Sequence, residues 1–312
     1  MIHLTKPKFW DNKKISFYSL LLFPFSLMTI IIIFLKKKLF KTKFFNTPII
    51  CVGNIYIGGT GKTPTSIFLA EELLKLKRDP VILRKYYKNH NDEYEQIKNR
   101  SLKLITNNNR VDGIIEAERA GCKTVILDDG LQDYEIKKNL EIVCFNSHQL
   151  IGNGLVLPSG PLRENLSSLK NKDIIIINGK KNTKFEEKIL KINKNLKIFY
   201  SIYKPVNIHR FENVKLLALA GIANPENFFT LLEENKLNVE EKLIFPDHYR
   251  FKKDEIESII NNAGGKKLKV IMTEKDFFKI KQFNLKNVDY LKVSLDIIEK
   301  EKLINRIKKI YD

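Results

Sequence analysis

The sequence predicts a doubly wound α/β sheet domain, a second and smaller α/β domain after it, and a long apolar helix ahead of both. Three observations lead there. Short β-branched runs alternate with helix-spaced segments between residues 49 and 178, the alternation restarts near residue 207, and residues 15–35 carry no charge. Strands buried on both faces read as continuous apolar runs, and parallel neighbours need a crossover helix between them.

The elements follow in order. "ISFYSLLLFPFSLMTIIIIFL" (15–35) is close to the ~20 residues of a membrane-spanning helix and is followed by Lys36, Lys37, Lys38, Lys41 and Lys43. No small-residue cleavage site separates the two, so a removable signal peptide is the weaker reading. Lys6, Lys8, Lys13 and Lys14 flank the other end, which leaves a shallow charge bias. Pro24 and the interspersed Ser and Thr permit a bent segment lying in one leaflet. An N-terminal membrane-associated helix is expected.

"IICVG" (49–53) reads as a strand, and "TPTSIFLAEELLKLK" (63–77) as a helix with Pro64 in its first turn. "PVILR" (80–84), "LKLIT" (102–106), "TVILD" (124–128), "EIVCF" (141–145) and "DIIIIN" (173–178) are further buried strands. In the second series, "LLALAG" (216–221) leads into a helix capped by Asn224 with Pro225 at its first position. "LKVIMTEKDFFKI" (268–280) repeats the arrangement, with Thr273 and Asp276 as a capping pair, and "IIEKEKLINRIKKIY" (297–311) closes as an amphipathic helix. Residues 1–43 are thus expected to form the membrane-associated segment, 44–206 a nucleotide-binding α/β domain, and 207–312 a smaller α/β domain closing a cleft.

The chain has 312 residues, 43% of them hydrophobic, and a formal net charge of +19. Only nine of its 55 basic residues are Arg, and no motif interleaves aromatics with them, so scattered Lys reads as solvated surface and nucleic acid is not an expected partner. Cys51, Cys122 and Cys144 each sit in or beside an apolar run without a C-x-x-C pair, which fits buried thiols in a reducing compartment. The five histidines lack metal-ligand spacing.

Between the first strand and its helix stands "GNIYIGGTGKTPT" (53–65). It nearly matches G-x-x-x-x-G-K-[ST], with Gly61, Lys62 and Thr63 in place but Tyr56 where the first glycine belongs. Small residues there let backbone N–H groups turn around an anion, and the helix N-terminus adds about half a positive charge. Gly58, Gly59, Thr60, Gly61, Lys62 and Thr63 are therefore expected to bind the phosphates of a nucleotide in a P-loop-containing domain. Lys62 supplies a point charge to the β/γ-phosphates and the Thr63 hydroxyl a ligand to Mg²⁺. Asp128 and Asp129, where "TVILDDGLQ" leaves its strand, would complete the metal site.

"VGNIYIGGTGKTP" (52–64), "LDDGLQ" (127–132), "GNGLVLPSGPLRE" (152–164), "AGIANPENFF" (220–229), "FPDHYRF" (245–251) and "TEKD" (273–276) together resemble the tetraacyldisaccharide 4'-kinase family of lipid A biosynthesis. The resemblance reaches from the apolar N-terminal segment to about residue 280, and the family's loop also lacks the usual first glycine. It implies ATP-dependent phosphorylation of the 4'-hydroxyl of a tetraacylated glucosamine disaccharide 1-phosphate, giving lipid IV-A, at the cytoplasmic face of the inner membrane of a Gram-negative bacterium. ATP and Mg²⁺ are the implied cofactors, and the lipid disaccharide and the membrane surface the implied partners; no protein partner is implied. By position, Arg163 and Glu164 match a polar pair beside the metal and phosphates. His248 matches a histidine that supports an aspartate base, and Asp92 of "NDEY" is the candidate for that base. Here "LRKYYKN" replaces a glycine-rich block; Arg84 is kept, the glycines are not, and Asp133 stands where the family has His. A membrane-recruited P-loop ATPase of regulatory or partitioning type would fit the glycine loop and acidic strand end alone; "GNGLVLPSGPLRE" and "FPDH" favour the kinase.

Overall fold

The computed structural model describes residues 6–12, 14–87, 91–222, 224–247 and 249–312, without the side chains of Asn91 and Asp92. A short 3-10 turn (Lys8–Trp10) precedes helix α1 (Phe17–Leu39). The chain continues through β1 (Ile49–Gly53), α2 (Lys62–Lys75), β2 (Pro80–Lys85), α3 (Asn91–Lys98), β3 (Lys103–Asn107), α4 (Arg110–Arg119), β4 (Thr124–Asp128), β5 (Leu140–Asn146), β6 (Ile174–Asn178), α5 (Thr183–Leu190) and β7 (Lys197–Pro205). It ends with β8 (Lys215–Ala220), α6 (Pro225–Glu234), β9 (Asn238–Ile244), α7 (Lys253–Gly265), β10 (Lys269–Thr273), α8 (Glu274–Ile280), β11 (Val288–Leu291), β12 (Val293–Ile297) and α9 (Lys300–Lys308).

The larger sheet has the order β12-β7-β6-β5-β1-β4-β2-β3, with parallel pairing from β7 through β3. After β1 the chain builds β2 to β4 on one side of it, then crosses to the other side for β5 to β7. That reversal beside β1 is the switch point at which doubly wound sheets bind ligands, and the glycine loop leaves from it. The three expected buried thiols are free and buried, and burial pushes those of Cys51 and Cys144 up to about 12. The smaller sheet, β11-β10-β8-β9, is also parallel.

The chain divides into two compact units, and the division is not continuous in sequence as boundaries at 43/44 and 206/207 would have it. One unit comprises Met1–Lys85, Leu102–Ile202 and Asp296–Asp312; the other comprises Tyr86–Ser101 and Tyr203–Leu295. The segment carrying α3 joins the second because Arg100 binds Glu274 at 3.2 Å and the Val293 carbonyl at 2.8 Å. The C-terminal segment joins the first because the hydroxyls of Tyr311 and Thr124 lie 2.8 Å apart and the Arg78 guanidinium stacks over the Tyr311 ring at 4.2 Å.

Helix α1 is long and apolar enough to cross a membrane, yet one stripe of it is fastened to the first unit. Ser16 caps its start, accepting from the Ser19 N–H at 3.2 Å. Ser19, Ser26, Ile30, Ile33 and Lys37 fall on one face at helical spacing. Ser19 Oγ accepts from Asn153 at 3.2 Å. Ser26 Oγ lies 2.8 Å from the Val156 carbonyl, to which it can donate, and accepts from the Ser159 N–H at 3.0 Å. The opposite face presents Phe17, Leu21, Met28, Ile32 and Leu35, all exposed.

Candidate active site

Strand β1 ends on Gly53, where an added Cβ would lie 2.5 Å from Leu131 Cγ, so only glycine lets the loop leave this close to the segment after β4. The loop then turns through Gly58 (φ +118°) and Gly61 (φ +87°), the latter capping α2 in left-handed geometry that a side chain would strain. Asn54 Nδ2 donates to the Gly58 carbonyl at 3.2 Å and to Thr60 Oγ1 at 2.9 Å, and Asn178 at the end of β6 donates to the Thr60 carbonyl. Tyr56, standing in place of the usual first glycine, is fully buried and donates its hydroxyl to Asp11 at 2.8 Å. The 155–164 segment braces the loop from the side: Ile57 N–H donates to Pro161 at 2.8 Å and Arg163 N–H to Ile55 at 2.7 Å. The loop is therefore held by fixed partners before any ligand arrives.

Lys62 and Thr63 open α2 beside β4, whose Asp128 is in register with Val52 of β1. Thr63 Oγ1 donates to Asp128 Oδ2 at 2.9 Å, and Arg84 Nη1 reaches both Thr63 Oγ1 and Asp128 Oδ2 at 2.9 Å. Asp128 is buried, and the Arg84 guanidinium and the threonine hydroxyl pair its carboxylate there. Asp129 follows at φ +60°, a turn held by Arg110 donating to the carbonyls of Asp128 (3.2 Å) and Asp129 (2.8 Å).

That turn aims the Asp129 carboxylate at two cations, Arg163 Nη1 at 2.8 Å and Lys62 Nζ at 3.7 Å. Burial acts to raise its pKa, but the charges of Lys62 and Arg163, with the hydrogen bond from Arg163, hold it below the usual carboxylate range. Burial lowers the Lys62 pKa, with Asp129 the main opposing influence. Glu164 is 2% exposed and bound by Lys37 Nζ at 2.6 Å and Gln132 Nε2 at 3.0 Å. Its burial is outweighed by these contacts, and its pKa too is lowered.

Of the residues expected at a metal, Thr63 and Asp128 come together with Arg84 on both, whereas Asp129 and Glu164 lie apart from that pair, on Arg163 with Lys62 and on Lys37 respectively. The side chain of Asp92, which stands on α3, and the whole of His248 lie outside the described residues. Their neighbours are joined within the second unit: Lys275 Nζ lies 3.6 Å from Glu93 Oε1 and 3.2 Å from Asp247 Oδ1. Lys275 of "TEKD", Gln132 of "LDDGLQ", Arg110 and Lys37 bind partners distant in sequence, which spacing does not disclose, and Asn54 ties the glycine loop to itself from a position the loop pattern leaves unspecified.

A glycine loop at the switch point of a parallel sheet, opening a helix with Lys and Thr against a buried strand-end aspartate, defines a P-loop nucleotide-phosphate protein of the doubly wound class. The chain belongs to the family described as tetraacyldisaccharide-1-P 4'-kinase, whose model matches residues 18–312. It is 42% identical to the tetraacyldisaccharide 4'-kinase of Pelagibacter ubique, covering 98% of both chains, and 31% identical to that of Haemophilus influenzae, covering 98% of this chain and 96% of the other. A crystal structure of LpxK from Aquifex aeolicus, an "apo" form in complex with ATP, shares the fold with a TM-score of 0.73 at 24% identity, over 94% of this chain and 99% of that one.

Proposed function

We propose that this chain transfers the γ-phosphoryl group of ATP to the 4'-hydroxyl of a tetraacylated glucosamine disaccharide 1-phosphate, forming lipid IV-A in lipid A biosynthesis. The observation that carries this reading is the Thr63–Asp128 pair, 2.9 Å apart at the mouth of the glycine loop, in a chain of this family. Backbone amides from Gly58 to Gly61 receive the phosphates and Lys62 adds its charge to the β/γ oxygens. Arg163, parked on Asp129, is the second cation available to them.

Thr63 and Asp128 offer the hard oxygen donors that suit Mg²⁺. Mg²⁺ usually takes only one or two protein ligands and keeps several waters, so this pair suffices to hold it. When bound, Mg²⁺ neutralises charge on the phosphate oxygens. Asp129 and Glu164 would serve it from behind, as acids that position Lys62, Arg163 and Gln132. Asp92 is the proposed acceptor of the hydroxyl proton, with His248 orienting it.

Measured with purified protein, ATP consumption should depend on Mg²⁺ and on added tetraacyl disaccharide 1-phosphate, with phosphate appearing at the 4' position. Turnover of equal rate without lipid would instead mark the chain as a P-loop ATPase, the reading the family membership disfavours.

The relatives come from Gram-negative bacteria, and the proposed site of action is the cytoplasmic face of the inner membrane. Because α1 is fastened to the first unit from Ser19 to Lys37, about 27 Å of helix, we take it to lie in the lipid surface instead of crossing it. Its outer face should bury apolar side chains among the acyl chains while Lys36 and Lys38 meet anionic headgroups. Replacing Leu21 and Met28 together by Asp should release the protein from vesicles and raise the lipid KM more than it lowers kcat. Retained pelleting with vesicles in high salt would place the anchor elsewhere.

A further inference from the structure

We propose that Lys37 of α1 is a positioning residue for phosphoryl transfer, holding Glu164 so that Gln132 and Arg163 keep their places beside the phosphate site. A continuous polar path supports this. Lys37 Nζ binds Glu164 Oε2 at 2.6 Å, and Gln132 Nε2 donates to Glu164 Oε1 at 3.0 Å. Arg163 Nη1 donates to Gln132 Oε1 at 3.4 Å and to Asp129 Oδ1 at 2.8 Å, and Asp129 Oδ1 lies 3.7 Å from Lys62 Nζ.

The order of donors and acceptors along the path is not interchangeable. An ionised Glu164 only accepts, so it takes the NH₂ side of the Gln132 amide. That NH₂ group also donates to the Asn54 carbonyl at 3.1 Å, at the root of the glycine loop. The amide oxygen is thereby left facing Arg163. The arrangement requires Glu164 to stay charged while 2% exposed, and Lys37 is its direct cationic contact, with Lys172 contributing charge from farther away. Removing Lys37 takes the cation in direct contact away from a buried carboxylate and leaves it the more distant charge of Lys172.

The pair also lies where α1 and the rest of its unit stand apart. Both residues line a cavity of about 490 Å³ that Ile30, Ile33, Phe34 and Tyr134 help to enclose. A helix seated in lipid would thus report its position to the phosphate site through one ion pair, and Lys36 and Lys38, exposed on either side of it, would not.

The proposal rests on the kinase reading and is tested in the full chain with the lipid assay. Lys37→Met should lower kcat about tenfold, within the cost of a small displacement near the chemistry. It should leave the lipid KM within about twofold and vesicle pelleting unchanged. Lys188→Met removes the same charge from an exposed position on α5 and should match the parent, and Lys37→Arg, which keeps the pair, should recover most of the rate. If Lys37→Met does not fold by thermal melting, Lys37→Gln is read the same way. The proposal is overturned if Lys37→Met equals the Lys188→Met control in kcat, or if its loss lies wholly in lipid KM with lost pelleting, which would make Lys37 an anchor only. A dead Lys62→Ala alongside a normal Lys37→Met would sink the positioning role alone; an active Lys62→Ala would sink the kinase site itself.

Discussion

A folded Lys62→Ala variant should lose between about a hundredfold and a thousandfold in kcat, the cost of removing one preorganised charge contact to the transition state, about 2.7–4 kcal/mol. Lys62 stands at the head of α2 with its ammonium 3.7 Å from Asp129. Burial lowers its pKa with Asp129 opposing, and the incoming phosphates would add further negative charge that favours the ammonium. Thr63→Ala should fall with it, and it should also weaken the dependence on Mg²⁺, because its hydroxyl is the one paired with Asp128. The fold should survive both changes, since neither side chain is part of the apolar core. Single-turnover kinetics with near-parental rates for Lys62→Ala would remove the glycine loop from the mechanism.

Asp92→Asn should lower kcat by about 10²–10⁴, the range for loss of a positioned acid or base, with little change in ATP affinity. An alcohol is a poor nucleophile at neutral pH, and in phosphoryl transfer the base accepts its proton late while holding the oxygen in line. His248→Ala should lower kcat as well, and the double variant should lose far less than the product of the two, as residues acting as one unit do. Lys275 joining Glu93 to Asp247 provides a further arm: Lys275→Met should mimic part of both losses by freeing the segments that carry the pair. Multiplicative losses would separate the two residues. An unchanged Asp92→Asn would transfer the role to another acid of α3, with Glu93 and Glu95 next.

Strands β1, β4 and β6 were legible because they are apolar over almost their whole length, as in "IICVG", "TVILD" and "DIIIIN"; β7, "KIFYSIYKP", was not, since polar and half-exposed residues interrupt it. Strand β9 was not, since "NVEEKLI" lies at a sheet edge with alternate residues exposed and looks like polar loop. Helices α4 and α7 went unread for a related reason: "RVDGIIEAER" and "KDEIESIINNAGG" show water more than half their residues and contain Gly. At the site, glycine spacing and the Asp128–Asp129 pair marked the glycine loop and the strand end that the fold brings together. What spacing could not disclose was which acid meets which cation. Asp129 turns away from Asp128 through a left-handed residue, and Glu164 finds its lysine 127 positions earlier. The division into units was hidden likewise, because a chain that leaves a unit and returns to it has no compositional mark at the crossing.

That return has a consequence for synthesis on the ribosome. The first unit is begun by α1 and β1, yet Tyr311, which stacks on Arg78 and meets Thr124, is encoded after the Tyr203–Leu295 segment of the second unit. Domains usually condense in order as they emerge, but this one stays open at the Thr124 end of β4 until that segment has been made. A stop codon placed just after Leu295 would therefore harm the first unit and leave the second whole.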